Sequence, residues 1–292
     1  PAMVPAAPSD NIIGTGTMSM TKARAVPFAW NGEQTQALNN GPGQLRIQAQ
    51  QIAQAIRTIV NEMEADVAAA AVAACSRAYG TVGTIPFATN IGESAQLRKI
   101  LDDNGAPGMR SSVIDTTVGA SLRTLGQLTK VNESGTMMTL RDGELLNLSG
   151  MSFRESAQLG NASFTAGTNN GSASTNNAGY AIGATVITLA SAGTGTIIIG
   201  DVITFAGDTN KYIVVSGDAD VSGGGTITLA EPGLKRAIAA SNTVITTVAT
   251  HTRAGVAFSQ DAIVFASRAP AKPPGGDVAS DVLTIQDPRS GI

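Results

Sequence analysis

The chain has 292 residues, a soft prior for about two domains at roughly 150 residues each. Charged residues are only 14%, and 19 Lys+Arg against 22 Asp+Glu give a net charge of −3, which excludes a nucleic-acid binder working through a broad basic surface. A single Cys and a single His exclude an internal disulfide, a cysteine-based zinc site and most metal and Ser-His-Asp designs.

Residues 1–44 read as an extended arm. Pro5, Pro8, Gly14, Gly16, Pro27, Gly32, Pro42 and Gly43 punctuate it too often for a helix. Met18, Met20 and the stretch Lys22–Trp30 read as short strands around a turn at Asn31-Gly32. This is either a long β-hairpin arm or an N-terminal strand pair. A free-standing hairpin is marginal, so an arm needs a partner to lie on.

Residues 45–85 hold the strongest helix signal, running from 45 to 78. Ile52, Ile56, Ile59, Met63, Val67, Ala70 and Ala74 recur at spacings of three and four, an apolar stripe. Ile56, Ile59 and Met63 are expected to face the sheet of the same domain. At 1.5 Å per residue the rod is roughly 50 Å long. It reads either as the core helix of a large α/β domain or as a spine.

Residues 86–158 alternate strands with short helices, the pattern of a compact α/β domain. Glu93–Asn104 reads as a helix ended by Asn104-Gly105-Ala106-Pro107, and Ser111–Asp115 as a buried strand. Thr117 or its neighbours cap a helix through Leu125. Met137–Leu148 holds a further helical turn or two, and Gly150–Ser156 a returning strand.

Residues 159–250 read as an inserted small β domain. Residues 156–200 contain no Asp, Glu, Lys or Arg, and Gly160–Gly179 reads as a linker or mobile loop. Five alternating stretches follow: Ala184–Ala190, Asp201–Ala206, Lys211–Ser216, Thr226–Ala230 and Thr243–Val248. Such spacing describes an antiparallel barrel or sandwich, expected to fold autonomously over about residues 180–249. Residues 251–292 return as strands at Val256–Ala266 and Val278–Gln286, around a Pro/Gly loop at 270–276. The pattern breaks off at Ile292, so a continuation is expected.

No constellation for catalysis emerges. His251 has no local nucleophile or carboxylate to work with, and Cys75 sits where a helix ends, the wrong pole to activate a thiol. Asp102-Asp103 reads as a solvated turn, and Asp218-Ala-Asp220 lacks the remaining ligands of a calcium loop. Gly14-Thr-Gly16 and Gly193-Thr-Gly195 lack the rest of a phosphate loop. No apolar run approaches the roughly 20 residues of a membrane span, and no signal peptide is visible. The expectation is a protein that is not an enzyme and needs no cofactor.

The order of parts carries a resemblance. Gln54–Asp66, Ser76–Gly80 through Pro86-Phe87, Ile100–Pro107, Leu122–Leu125, Leu140–Gly143, Arg154–Ser156, Gly200–Asp208 and Asp287–Gly291 together resemble the major capsid proteins of tailed bacteriophages. The fold implied is α+β, the Hong Kong 97 capsid fold: extended arm, long spine helix, compact axial α/β domain and inserted β-barrel. The branch resembled is that of the short-tailed enterobacterial phage coat protein.

The resemblance implies an icosahedral shell of many copies, as hexamers and pentamers, around double-stranded DNA held by weak non-specific contact. Scaffolding and portal proteins are implied partners, with a decoration protein as a further one, and no membrane is involved. Assembly is implied in the host cytoplasm and residence in the virion. Candidate inter-subunit contacts are Phe28, Trp30 and Glu33 on the arm, and Arg57, Glu64 and Arg77 along the spine helix. The alternatives are a minor virion protein, such as a decoration or fibre component, and an encapsulin-like shell protein.

Overall fold

In the computed structural model of the chain, residues 16–39, 44–130, 145, 147–159 and 163–268 are described. The predicted helical turns within Met137–Leu148 fall mostly outside these residues, and the Pro/Gly loop at 270–276 and the strand Val278–Gln286 fall wholly outside them. The chain divides into two compact units, Pro1–Ile59 with Val264–Ile292, and Val60–Ile263.

In the first unit the expected strand pair does not form. Residues 16–31 take no regular secondary structure, and Asn31-Gly32 opens a helix, α1 (Gly32–Asn39). The reason is a reciprocal cap. Asn31 Oδ1 accepts from the Gln34 backbone N–H at 2.7 Å, while Gln34 Oε1 accepts from the Asn31 N–H at 3.2 Å. An Asn followed three residues later by Gln outweighs the turn preference of Asn-Gly.

Helix α2 (Gln44–Ala73) is continuous for 30 residues, and none of its described side chains is buried. The predicted stripe is misplaced in its first half. Ile52 and Ile56 are 46% and 51% exposed, whereas Gln51, Ala55 and Ile59, four apart, are half-buried. The Trp30 indole N–H donates to Gln51 Oε1 at 2.6 Å, which puts Gln51 rather than Ile52 on the covered side. Ile59 and Met63 are half-buried as well, but Ile56 does not face a sheet as expected.

The helix stops short of the expected residue 78. Ala74 still donates to the Ala70 carbonyl, and the chain then turns into β1 (Arg77–Ala78). Tertiary pairing overrides the Ala-rich helical propensity there.

Next come α3 (Gly92–Asp103), β2 (Arg110–Ile114), α4 (Thr116–Thr124) and α5 (Gly126–Thr129). Helix α3 ends as its sequence predicts. Gly105 takes φ +69°, its N–H donates to Asp102 O, and Ala106 N–H reaches back to Leu101 O, the two bonds of a Schellman cap. Asp115 caps α4, accepting from Thr117 N–H at 3.2 Å.

Strands β3 (Asn147–Leu148) and β4 (Met151–Glu155) are joined by Ser149-Gly150, both at positive φ, the two-residue turn that matches strand twist. With β12 (Gly255–Ser259) they form a sheet of order β12-β2-β4-β3, in which β2 and β4 are parallel and connected through α4. Phe87, Leu101, Ile114, Val118, Leu122, Met151 and Phe153 pack its core.

The remaining strands are β5 (Ser163–Phe164), β6 (Val186–Leu189), β7 (Val202–Phe205), β8 (Lys211–Ser216), β9 (Gly225–Leu229), β10 (Ile245–Thr247) and β11 (His251–Thr252). Five of them pair antiparallel in the order β10-β7-β8-β9-β6. Bridges Ser174↔Val244 and Thr175↔Leu189 then join the outer strands β10 and β6, closing the order into a ring. Closure removes the exposed sheet edges. Ile187, Ile203, Phe205, Tyr212, Val214, Ile227, Leu229 and Ile245 fill the interior.

Within the stretch read as a linker, residues 173–176 run between β10 and β6 as part of this ring. Ala173 and Thr175 are wholly buried, and β5 pairs with β11. Asn169, also wholly buried, is a polar staple. Its Oδ1 accepts from the N–H groups of Ser172 and Ala173, and its Nδ2 donates to Ile245 O and Thr247 Oγ1. Gly167 is tight for a different reason, since a Cβ there would lie 2.4 Å from Thr196 O. Polar and small residues here serve closure, not flexibility.

Asn169→Ala should therefore cost the full chain about 1–3 kcal/mol, because buried donors and acceptors lose their partners. Asn170→Ala, one residue on and exposed, should stay within about 0.5 kcal/mol of wild type. Urea denaturation of the two variants checks this.

Candidate assembly surfaces

The second unit is knitted by one seam. Strand β1 pairs antiparallel with β8, Arg77 opposite Tyr212 and Ala78 opposite Lys211, and Ile213 N–H donates to Ser76 O. The Arg77 Nη2 donates to Gly233 O at 2.8 Å, and its guanidinium lies 4.3 Å from the centre of the Tyr212 ring. Burial and the hydrogen bond to Asp208 push the Tyr212 hydroxyl up from its ordinary pKa.

Further ties cross the same region. Lys211 Nζ donates to Gly80 O, Asn104 Nδ2 to Ser76 Oγ, and Lys235 Nζ reaches Asp103. Arg253 Nη2 donates to Gly200 O, with its guanidinium 4.1 Å from the Phe164 ring centre.

Beside the seam lies a cavity of about 590 Å³, with Val72, Leu97, Ile100, Val118, Val202 and Ile213 on its wall. Cys75 also lines it. Burial raises the thiol's pKa, against a smaller opposing effect of Arg253, so the thiolate is disfavoured. The other suspect groups have structural partners. His251 Nδ1 sits 2.9 Å from Ala249 O, and its ring lies against Phe164. Asp102 pairs with Arg110 and Arg98, and the Arg110 hydrogen bond holds its carboxyl below the usual range. Asp220 caps a short turn through Ser222, which lowers its pKa too. Among the described residues no group of three His, Cys, Asp or Glu side chains is placed to hold a metal. No described helix is long and apolar enough to cross a membrane.

The six candidate contact residues have differing surroundings. In the first unit Phe28 is exposed, Trp30 is held by Gln51, and Glu33 and Arg57 are exposed. In the second, Glu64 accepts from Ser156 Oγ at 2.5 Å, and the Arg77 guanidinium is engaged inside its own chain. Other apolar residues are nearly as exposed as Phe28. They include Ile52 and Ile56, which the periodicity places on the covered stripe, and Tyr79, Val82 and Ile85, an exposed apolar run in the segment after β1. The clustering of apolar residues around Gly80 and Gly83 was the available signal for that run.

No protein-family model matches the chain, and neither does any curated protein. Among solved structures, a chain from Mycobacterium phage Che8 is similar at 15% identity with a TM-score of 0.34. The match covers 71% of this chain and 61% of that one, so this chain spans less than two thirds of the solved chain's length.

Arg77→Ala removes a charge-assisted hydrogen bond and the contact with the Tyr212 ring, and should cost about 1–3 kcal/mol. Arg57→Ala, at an exposed helix position, should cost less than about 0.5 kcal/mol. Chemical denaturation followed by circular dichroism separates the two.

Proposed function

We propose that this chain is a structural protein, the major capsid protein of a tailed double-stranded-DNA bacteriophage. In this reading it adopts the Hong Kong 97-type capsid fold, and the β ring is the inserted barrel. Many copies, grouped as hexamers and pentamers, enclose the genome in an icosahedral shell. Assembly takes place in the host cytoplasm with scaffolding and portal proteins, and a decoration protein is a further partner. The finished protein resides in the virion, and the packaged DNA is held by weak, non-specific contact.

The observation that carries the reading is the uncovered face of α2. A helix of 30 residues with none of its described side chains buried, and with Ile52 and Ile56 about half exposed, leaves apolar area that the described residues do not cover. Covering one such side chain is worth about 1.5–3 kcal/mol, so repeated contacts between copies recover it. A shell subunit needs several separate contact surfaces, whereas a simple dimer needs one self-complementary patch. The exposed run Tyr79, Val82 and Ile85 supplies a second surface. The sequence order of arm, long helix, α/β part and β insertion supports the same reading.

The test is assembly. The intact protein, with its scaffold where one is required, should give megadalton closed particles by light scattering. The double variant Ile52→Glu/Ile56→Glu should keep the wild-type circular dichroism spectrum and form no particles. A wild-type protein that stays monomeric or dimeric under every assembly condition would overturn the capsid reading. A double variant that assembles as wild type does would remove the helix face from it.

A further inference from the structure

We propose that the arm of one copy, within residues 18–30, adds as a strand to the open edge of β12 in a second copy. The proposal rests on the reading that copies associate, and not on their closing a shell. Strand addition needs a sheet edge with unused backbone groups and an extended segment with unused groups of its own.

The edge is β12, which ends the order β12-β2-β4-β3. Asp115 N–H donates to Ala254 O, and Gln260 N–H to Met109 O, which fixes the phase of its pairing with β2. Hydrogen-bonded residues alternate in an antiparallel pair, so Val256 and Phe258 bond to β2 while Gly255, Ala257 and Ser259 turn their N–H and C=O groups away from it. Among the described residues nothing bonds to those outward groups. Ser259 is buried, with its Oγ donating to Pro107 O, so the usable edge is Gly255 and Ala257. The strand carries neither a charge nor a proline, the ordinary guards of a free edge. Gly255, Val256 and Ala257 also line the cavity described above, together with the aliphatic side chains of Leu97, Ile100 and Val202.

The arm is a strand pattern without a sheet. Its larger side chains fall on even numbers, Met18, Met20, Lys22, Arg24, Val26, Phe28 and Trp30, with Ser, Thr, Ala and Pro between them. That is the period of a strand. Residues 16–31 nevertheless take no regular secondary structure, and among the described residues the backbone of 16–21 and 25–29 makes no hydrogen bond. Pro27 decides which side can pair. It has no N–H and an odd number, so the odd side faces outward and the even residues present their backbone groups to β12. Met18 with Met20, or Val26 with Phe28, then supplies an apolar pair for the cavity wall beside Gly255 and Ala257. Main-chain bonds give such a contact its affinity, and alternate side chains its specificity.

A labelled peptide of residues 16–30, titrated into the full chain carrying Met20→Pro/Val26→Pro, tests the contact by fluorescence anisotropy. Those substitutions remove even-side N–H groups from a segment without regular structure, so the chain keeps its fold and its own arm does not compete. The wild-type peptide should bind one per chain, and the same peptide with both prolines at least about tenfold more weakly. Adding Ala257→Pro to the chain removes an outward N–H that β2 does not use, and should also weaken binding about tenfold. Should that variant not fold, hydrogen exchange decides in its place, since the bound peptide should slow exchange across residues 253–259. Sedimentation separates two copies from one. Full chains in the Ile52→Glu/Ile56→Glu background, one with Ala257→Pro and the other with Met20→Pro/Val26→Pro, should give when mixed a dimer that neither gives alone. Absence of peptide binding, binding indifferent to the prolines, unchanged exchange at 253–259, or a mixture of folded chains without the added dimer would overturn the proposal. Particles that assemble without arm binding would overturn it too, and would leave the shell reading standing.

Discussion

Two residue pairs of backbone ladder, Arg77 with Tyr212 and Ala78 with Lys211, tie the end of the long helix to the β ring. Much of the second unit depends on them. The pairing ends α2 before its propensity requires and sets the Arg77 guanidinium on Tyr212, itself part of the ring's core. It also brings Lys211 to Gly80 and Ser76 to Asn104. The ring is therefore not a bead on a flexible string. The chain enters and leaves it through β5 and β11, which pair with each other, and it is gripped from outside by a strand more than a hundred residues earlier in sequence.

Where local chemistry and tertiary need agree, the fold could be read in advance. Lys211–Ser216 was expected as a strand and is one with the same bounds. The end of α3 followed from Asn104-Gly105 because a left-handed residue there costs glycine nothing. The alternating stretches of the ring carry their period openly. Failures came where one local signal hid another. Asn31-Gly32 advertises a turn, but the Asn31–Gln34 cap uses the same Asn to begin a helix. The Asn- and Ser-rich stretch after Gly160 has the composition of a linker, yet the Asn169 side-chain amide makes five hydrogen bonds inside the ring. Composition does not reveal whether a polar side chain faces water or buried backbone.

The surfaces were harder to read than the elements. Periodicity locates a stripe on α2 but not its partner, and a rotation of about 100° separates Ile52 from its neighbour Gln51 on the helix. That rotation depends on Trp30, twenty-one residues away in sequence. Arg77, a candidate contact with another copy, also makes contacts within its own chain. Its engagement with Gly233 and Tyr212 depends on a loop 156 residues later, which no local pattern predicts. Shell assembly, as proposed above, draws on the complementary fact that several apolar side chains, Ile52 and Ile56 among them, find no cover among the described residues.

The account rests on the seam behaving as part of the ring and not as a loose strand. Native-state hydrogen exchange of the full chain, read by mass spectrometry across a denaturant series, measures this directly. Peptides spanning residues 74–80 should exchange with the same denaturant dependence as those spanning 211–216, since the Ile213 amide is bonded to Ser76 and both strands open together. Rapid exchange of 74–80 while the 211–216 amides remain protected would show that the ring stands without the seam, and would contradict the account.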